Sequence, residues 1–596
     1  MTETEVGGHG DGSSTRTRSR SGTSARGEAG GRLGASVGLG LGRPGRRGLV
    51  IVTLLAIATL ARVVPLYWSP HPATLDGFQY AWFAREALAT GSYPIGEFRA
   101  DSFVYTGLAA VVSGVAGVAP LRSIQPLSSL IGVGGVVVGV AVARRIAAEY
   151  GWSRRRVTSA AVAAGFVLAL DGIYLRRTMV ADEEVMSYVL WPLAVVALHL
   201  WLAGRRPARW GVVAGILLVT LPVLHIFSTF VAGLSVVALV AVHVVRNPDT
   251  RTVLGGGAVV AAFWLYFGGY YHIATSTALT VAYVDRVTAF PGLFLAWVIL
   301  LVVGAAWLWT TDSRLRALVF LVPVGAFYAI TTANVFVSVY PGTPLTPVGV
   351  LVPVVALLGP VLAAGYGLTR LSTTRPGSAV VVALLAAPLA LVGFSLTASL
   401  TPEYVNTAIR GQTFGHLPVA ILAGLVLSGL VARRPSPVLD IEPGTGRTVV
   451  RYLLVGLVLV SVVGSLPFAY LTLDTGTYPA TTFDSEFRGV GFVATHTQGP
   501  WATDHSLSRV GILYFRSDAS PAPTASWLSG GASPRCPVVS QESWTSTGAH
   551  LFPFAPDTVS PSTYDAWLSE RSVVYANTGR DPVTVSLPVT ASERGC

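Results

Sequence analysis

Apolar runs of about 20 residues recur along this chain, and few folds can absorb them. A helix of that length crosses the hydrocarbon of a bilayer. In lipid each backbone N–H and C=O must be satisfied within the structure itself, so repeated runs of this kind imply a helical bundle. The sequence therefore predicts a polytopic α-helical membrane protein. Its expected spans are 49–66, 126–143, 157–170, 185–202, 210–224, 229–245, 253–269, 290–310, 316–332, 347–367, 379–398, 417–432 and 452–471. That makes about 13 crossings, with the transmembrane part over 48–473.

Charge sets the expected topology. The net charge is +11, all 41 basic residues are arginine, and they collect in short loops between spans. Arginine-rich short loops mark the cytoplasmic side, so this charge argues for membrane orientation and against a nucleic-acid partner. Arg43, Arg46 and Arg47 place residues 1–47, rich in Gly, Ser, Thr and Arg, as a disordered cytoplasmic tail. Residues 67–125 become a long outer loop. Within it, Phe103 to Pro120 is expected to lie at the surface or be partly inserted, because a full crossing there would place Arg144, Arg145 and Arg154–Arg156 outside.

Residues 474–596 form an expected extracytoplasmic domain, small and either α/β or mostly β. Val510–Phe515, Ser572–Tyr575 and Val583–Leu587 read as strands. Cys536 and Cys596 both fall in it; a disulfide would suit an oxidising compartment, and two free thiols are the alternative.

Only 12% of the residues are charged, which makes two acidic clusters beside apolar spans conspicuous. One is Leu75-Asp76-Gly77-Phe78-Gln79-Tyr80; the other is Arg176-Arg177-Thr178-Met179-Val180-Ala181-Asp182-Glu183-Glu184. Both open on the expected outer side. Asp76, beside aromatic Tyr80, Trp82 and Phe83 at headgroup depth, can act as a general base or as a hard oxygen ligand. One acid satisfies a helix start, whereas three in a row repel one another unless a cation or the neighbouring arginines offset them. Arg286, Arg410, His272 and His416 fall in outer loops, where a phosphate-bearing lipid head needs a cation. His225 and His243 read as packed or interfacial residues.

The Asp76–Tyr80 segment, followed by Ala84-Arg-Glu-Ala-Leu-Ala-Thr-Gly-Ser-Tyr-Pro94, resembles the first outer loop of GT-C glycosyltransferases. Tyr174-Leu-Arg-Arg-Thr-Met179 and Asp182-Glu-Glu184 are similar to the second outer-loop motif of the oligosaccharyltransferase catalytic subunit of archaeal or bacterial type. The resemblance covers roughly residues 49–245 and implies a GT-C-like fold in the cell membrane. It implies transfer of a sugar or glycan from a polyprenyl- or dolichyl-phosphate-linked donor to a glycan, lipid or protein acceptor on the extracytoplasmic side. Asp76, Asp182 and Glu184 are then the catalytic residues, and the ligands of Mg2+ or Mn2+ if a metal is used. Tyr80, Arg177, Arg286 and Arg410 are the substrate-binding candidates.

The chain lacks the family's Trp-Trp-Asp-Tyr-Gly motif; Trp501-Ala-Thr-Asp504-His505 occupies a comparable place. The Pro-rich loop 333–346 carries no Glu, and Glu403 comes one outer loop later. Transfer of a single sugar to a glycan or lipid is therefore as much expected as protein glycosylation. The rival readings are a secondary transporter or a lipid-binding scaffold. Transporters place ionisable residues near the bilayer midplane, whereas these spans are almost free of charge.

Overall fold

The break at Asp171 shapes the bundle around the site. The helix Arg154–Leu170 ends there and a shorter one, Gly172–Thr178, leaves at 70°. Asp171 starts the second helix by accepting from the N–H groups of Ile173 (3.1 Å) and Tyr174 (3.0 Å). The carbonyls freed at the end of the first are met by Arg62, which is fully buried. Its guanidinium reaches Leu168 and Ala169 oxygens at 3.4 Å and the Thr178 hydroxyl at 2.8 Å. A buried cation thus satisfies the backbone that the bend exposes.

The structure is a computed structural model and describes residues 46–596 apart from 278, 282, 312, 340–344, 372–374, 432–444, 475–480, 553–555 and 590–595. The expected tail lies, up to residue 45, outside the described residues, as does the middle of the Pro-rich loop. Twelve helices are long and apolar enough to cross a membrane, and a thirteenth is gained if the bent pair at Asp171 counts as one span. The chain is a multi-pass membrane protein, in agreement with the expected number. Phe103–Ala116 is a separate helix of 14 residues.

Two helices run well past their expected limits. Pro120–Glu149 and Pro402–Val431 each have 30 residues. Arg410 and His416, expected in a loop, therefore lie on a helix, as do the loop-assigned residues 120–125. Polar residues mark these extensions, so hydropathy alone places the helix ends too early.

Small residues let the helices approach closely. A side-chain atom on Gly424 would sit 2.6 Å from the Ala164 backbone N, which explains how Pro402–Val431 lies against Arg154–Leu170. One on Gly132 would run into the Thr178 carbonyl, so Pro120–Glu149 presses directly on the end of the bent segment.

The C-terminal region holds a five-stranded sheet in the order β2-β1-β3-β5-β4. Its strands are β1 Trp501–Ala502, β2 Ala519–Ser520, β3 Val538–Gln541, β4 Arg571–Ala576 and β5 Val583–Pro588. β1 pairs in parallel with β2 and β3, while β5 is antiparallel to both β3 and β4. Helices Asp484–His496 and Pro561–Ser569 accompany the sheet, so the region is mixed α/β. Cys536 and Cys596 are joined in a disulfide. The expected strand Val510–Phe515 is instead the end of helix His505–Val510 and the π-helical turn Gly511–Phe515. A short apolar run does not distinguish strand from helix, and this one packs on the first-loop helix Leu75–Thr90 instead of pairing in the sheet.

Two outcomes follow. Gly132→Val forces a methyl-bearing side chain against backbone and lowers stability by about 1–3 kcal/mol, read as a lower melting midpoint of the purified protein. Asp504 is buried and its carboxyl is pushed up to about 6 by that burial. A raised acid stabilises at low pH and loses that contribution as pH climbs through its folded value. Amide protection of residues 501–510, corrected for intrinsic exchange, is expected to fall between pH 5 and 7.5 by about 1.4 kcal/mol at most, and Asp504→Asn flattens the dependence.

Candidate functional site

The second acidic cluster is set by the bend described above. After Gly172–Thr178 the chain turns through Met179–Glu183 and re-enters a helix at Glu184. Asp182 Oδ1 accepts from the Glu184 N–H at 3.0 Å, the turn that starts this helix. Glu184 is 1% exposed, and Tyr188 donates its hydroxyl to Oε1 at 2.7 Å. Arg410 donates to Oε2 from Nε (3.0 Å) and Nη2 (2.5 Å). The same guanidinium reaches the Tyr283 hydroxyl at 2.5 Å and His225 Nε2 at 3.4 Å, with Asp182 Oδ2 at 3.9 Å. Tyr283 holds a backbone φ of 67°, a left-handed conformation that is costly for an aromatic residue.

The first cluster meets the second through a glycine. Leu75–Thr90 begins so near the second loop that a side-chain atom on Gly77 would lie 3.2 Å from the Ala181 carbonyl oxygen. Gln125 ties the two loops, accepting from the Ala73 N–H at 2.9 Å and donating to the Met179 carbonyl at 2.5 Å. Asp76, next to Gly77, consequently acts electrostatically on Asp182 and Glu183. Its side chain is 41% exposed and pairs with Arg509 of the C-terminal region at 3.2 Å.

A third set completes the site. Arg99 Nη2 donates to Glu183 Oε1 at 2.9 Å and to Asp101 Oδ2 at 3.2 Å, while Nη1 reaches the Tyr80 hydroxyl at 3.0 Å. His225 links Pro207–Leu224 to Ile226–Arg246, and its Nδ1 lies 2.6 Å from the Ser228 hydroxyl. Asp101, Glu183 and His225 are all buried, and each offers an atom within 4.8 Å of the others. Burial raises Asp182, and raises Glu183 well above the carboxylate range. Burial works the same way on Asp101, but the Arg99 guanidinium outweighs it and holds that carboxyl below its ordinary value. Burial also drives His225 down to about 3, so its imidazole is neutral at pH 7.

Five carboxylates (Asp76, Asp101, Asp182, Glu183 and Glu184) therefore face three guanidiniums (Arg99, Arg410 and Arg509) around a neutral imidazole. The excess of acid is suited to a cation. Glu183 Oε2 is buried with no hydrogen-bond partner, and with Asp101 and His225 it supplies two oxygens and one nitrogen. That donor set fits a divalent metal of the Mn2+ or Zn2+ kind better than Mg2+, which prefers oxygen alone. Among the described residues this is the one group gathered so closely.

Of the residues expected from sequence, Asp76, Tyr80, Asp182, Glu184 and Arg410 come together here. Arg177 is half-buried and acts on Glu184 electrostatically, without a hydrogen bond or ion pair among the described residues. Arg286 turns aside to the Glu403 carbonyl (3.1 Å) and the Thr407 hydroxyl (2.6 Å). His416 Nδ1 binds Asp171 at 2.6 Å, at the bend, and His272 and Glu403 are exposed. Arg99, Asp101, His225 and Arg509 belong to the cluster without having been singled out for it, and Glu183, noted only as the middle acid of its run, joins them. The signals were present: Arg99-Ala-Asp101 breaks the charge bias of an outer loop, and His225 is a polar residue between two apolar runs.

Arg410→Ala leaves Glu184 buried without a counter-charge and is expected to cost about 3–5 kcal/mol. Arg410→Met combined with Glu184→Leu recovers most of that loss, and a double-mutant cycle on thermal midpoints checks it.

No family model matches the chain, and no curated relative matches it. Solved structures do. The oligosaccharyltransferase of Archaeoglobus fulgidus, tethered to an acceptor peptide containing the NVT sequon, aligns at 12% identity with a TM-score of 0.51. The match covers 83% of this chain and 70% of that one. ArnT from Cupriavidus metallidurans bound to undecaprenyl phosphate aligns at 16% identity over 92% of this chain and 99% of its own, with a TM-score of 0.43. Arabinofuranosyltransferase AftD from Mycobacteria aligns at 14% identity over 91% and 41%, with a TM-score of 0.44. At these identities the likeness concerns the fold: the chain has the GT-C architecture of the oligosaccharyltransferase.

Proposed function

We propose that this chain is a membrane glycosyltransferase that moves a sugar or glycan from a polyprenyl-phosphate or -pyrophosphate lipid to an acceptor on the extracytoplasmic side. The observation that carries this reading is the convergence of two loop acids, Asp76 and Asp182, with Glu184 and Arg410 at one end of a GT-C bundle. A site with excess carboxylate beside a largely buried guanidinium offers both things such a transfer needs.

Asp76 is the partly exposed acid and takes the proton of the acceptor group. The acceptor atom then bonds to the anomeric carbon, and the bond from that carbon to the phosphate oxygen breaks with its electrons on the phosphate. Arg410, fixed by Glu184, and Arg177, which makes no ion pair among the described residues, stabilise that developing charge. Tyr80 orients Arg99 and through it Glu183. Asp101, Glu183 and His225, with Asp76, Asp182 and Glu184 close by, would hold a divalent ion of the Mn2+ kind, which would supply further neutralisation of phosphate charge. Arginine-rich loops favour a cytoplasmic N-terminus and an outward site.

Mass spectrometry of lipid-linked sugars and surface glycans in a deletion strain tests the reading. Accumulated donor lipid with a truncated glycan, restored by the wild-type chain and not by Asp76→Ala, is the expected result. Unchanged glycans in the deletion itself overturn it. Glu183→Gln is expected to lower bound manganese by tenfold or more in equilibrium dialysis, in line with loss of a ligand or its orienting shell.

A further inference from the structure

The C-terminal region lays a shelf against Asp76. His505 and Arg509 stand one turn apart on helix His505–Val510 and so share a face. Arg509 pairs with Asp76, and His505 lies within electrostatic reach of both. The helix is braced from behind: Asp504 accepts from the N–H groups of Leu507 (3.0 Å) and His550 (3.1 Å), and the His505 N–H donates to the His550 carbonyl at 2.7 Å. The front is open, with Asp76 41% and Arg509 36% exposed. Phe552, 55% exposed, leans on the His505 ring with centroids 5.3 Å apart. Burial and Arg509 hold His505 down to about 4, so its imidazole is neutral at pH 7. Among the described residues neither of its ring nitrogens is hydrogen-bonded.

We infer that this shelf binds a saccharide, so that the acceptor of the transfer is a sugar hydroxyl and not a peptide amide. The inference rests on the glycosyltransferase reading and names its acceptor class. A sugar ring presents neighbouring hydroxyls, each both donor and acceptor, and an apolar C–H face. One hydroxyl donates to Asp76 while the next accepts from Arg509, the neutral imidazole serves a third, and the Phe552 ring takes the C–H face. An extended peptide needs unpaired backbone to bind along. Here the backbone of His505–Val510 is spent within its own helix and on His550. In the transfer the sugar hydroxyl gives its proton to Asp76, its oxygen bonds the anomeric carbon, and the phosphate leaves with the electrons of the broken bond.

The test uses the full chain in lipid nanodiscs. Wild type is titrated by saturation-transfer NMR with soluble hexasaccharides of glucose, mannose, galactose and arabinose and with an Asn-Val-Thr hexapeptide. Undecaprenyl phosphate binding is measured separately. At least one hexasaccharide is expected to bind, with Phe552→Ala and Arg509→Gln each weakening it about tenfold or more. Phe552→Trp is expected to retain it, and both Phe552 variants to bind undecaprenyl phosphate as wild type does. Lipid-phosphate binding with no saccharide binding, saccharide binding indifferent to both variants, or preference for the peptide overturns the inference and leaves the transferase reading standing. Saccharide binding without lipid-phosphate binding supports the shelf and overturns the lipid-donor reading.

Discussion

Glu184 has left water and Arg410 has nearly done so, and each replaces for the other the solvation that lipid and protein do not provide. The rest of the site hangs on that exchange. It fixes the start of helix Glu184–Leu202 against Pro402–Val431, and with it the turn that carries Asp182 and Glu183. It also draws in Tyr283 and His225, both of which face the same guanidinium. A buried pair of this kind is weak evidence for stability by itself, since apolar replacements often do as well. It stands out in a chain of which only 12% of the residues are charged.

The bend at Asp171 does similar work by other means. A straight helix would carry the second acidic cluster away from the first. By ending at Leu170 and restarting under an aspartate cap, the chain turns so that Thr178 presses on Gly132 and Ala181 on Gly77. Arg62 makes the break tolerable within the bundle by meeting the carbonyls it frees. Arg62, Gly77, Gly132 and Asp171, far apart in sequence, thus convert hydrophobic spans into a support for charged loops.

Much of this was legible in the sequence because bilayer physics writes it in coarse letters. Span number, helical class and the two acidic clusters follow from hydropathy and from the rarity of charge. The helix ends were not legible: Arg410 and His416 lie on an extension whose polar residues conceal it from a hydropathy window. Arg99 and Asp101 were hidden for a different reason, since a basic-acidic pair in a loop looks solvated until the fold buries it. His225 was read correctly as packed, but packing is what places it beside Glu183 and Arg410. The Val510–Phe515 run failed as a strand because only its contact with the first-loop helix decides its shape.

The pairing of Asp76 with Arg509 spans 433 residues of chain, and Arg516, with its left-handed backbone, closes a second clasp on Glu97 and lies over Trp82. Loop closure over such separations is slow relative to local helix formation. The site is therefore opened by the first-loop helix and shut by a stretch synthesised 433 residues later. Until translation reaches Arg509 and Arg516, Asp76 lacks its arginine and Trp82 lacks the guanidinium that covers it. A nascent chain abandoned midway thus carries an unassembled centre, and maturation of the protein becomes a checkpoint on its own chemistry.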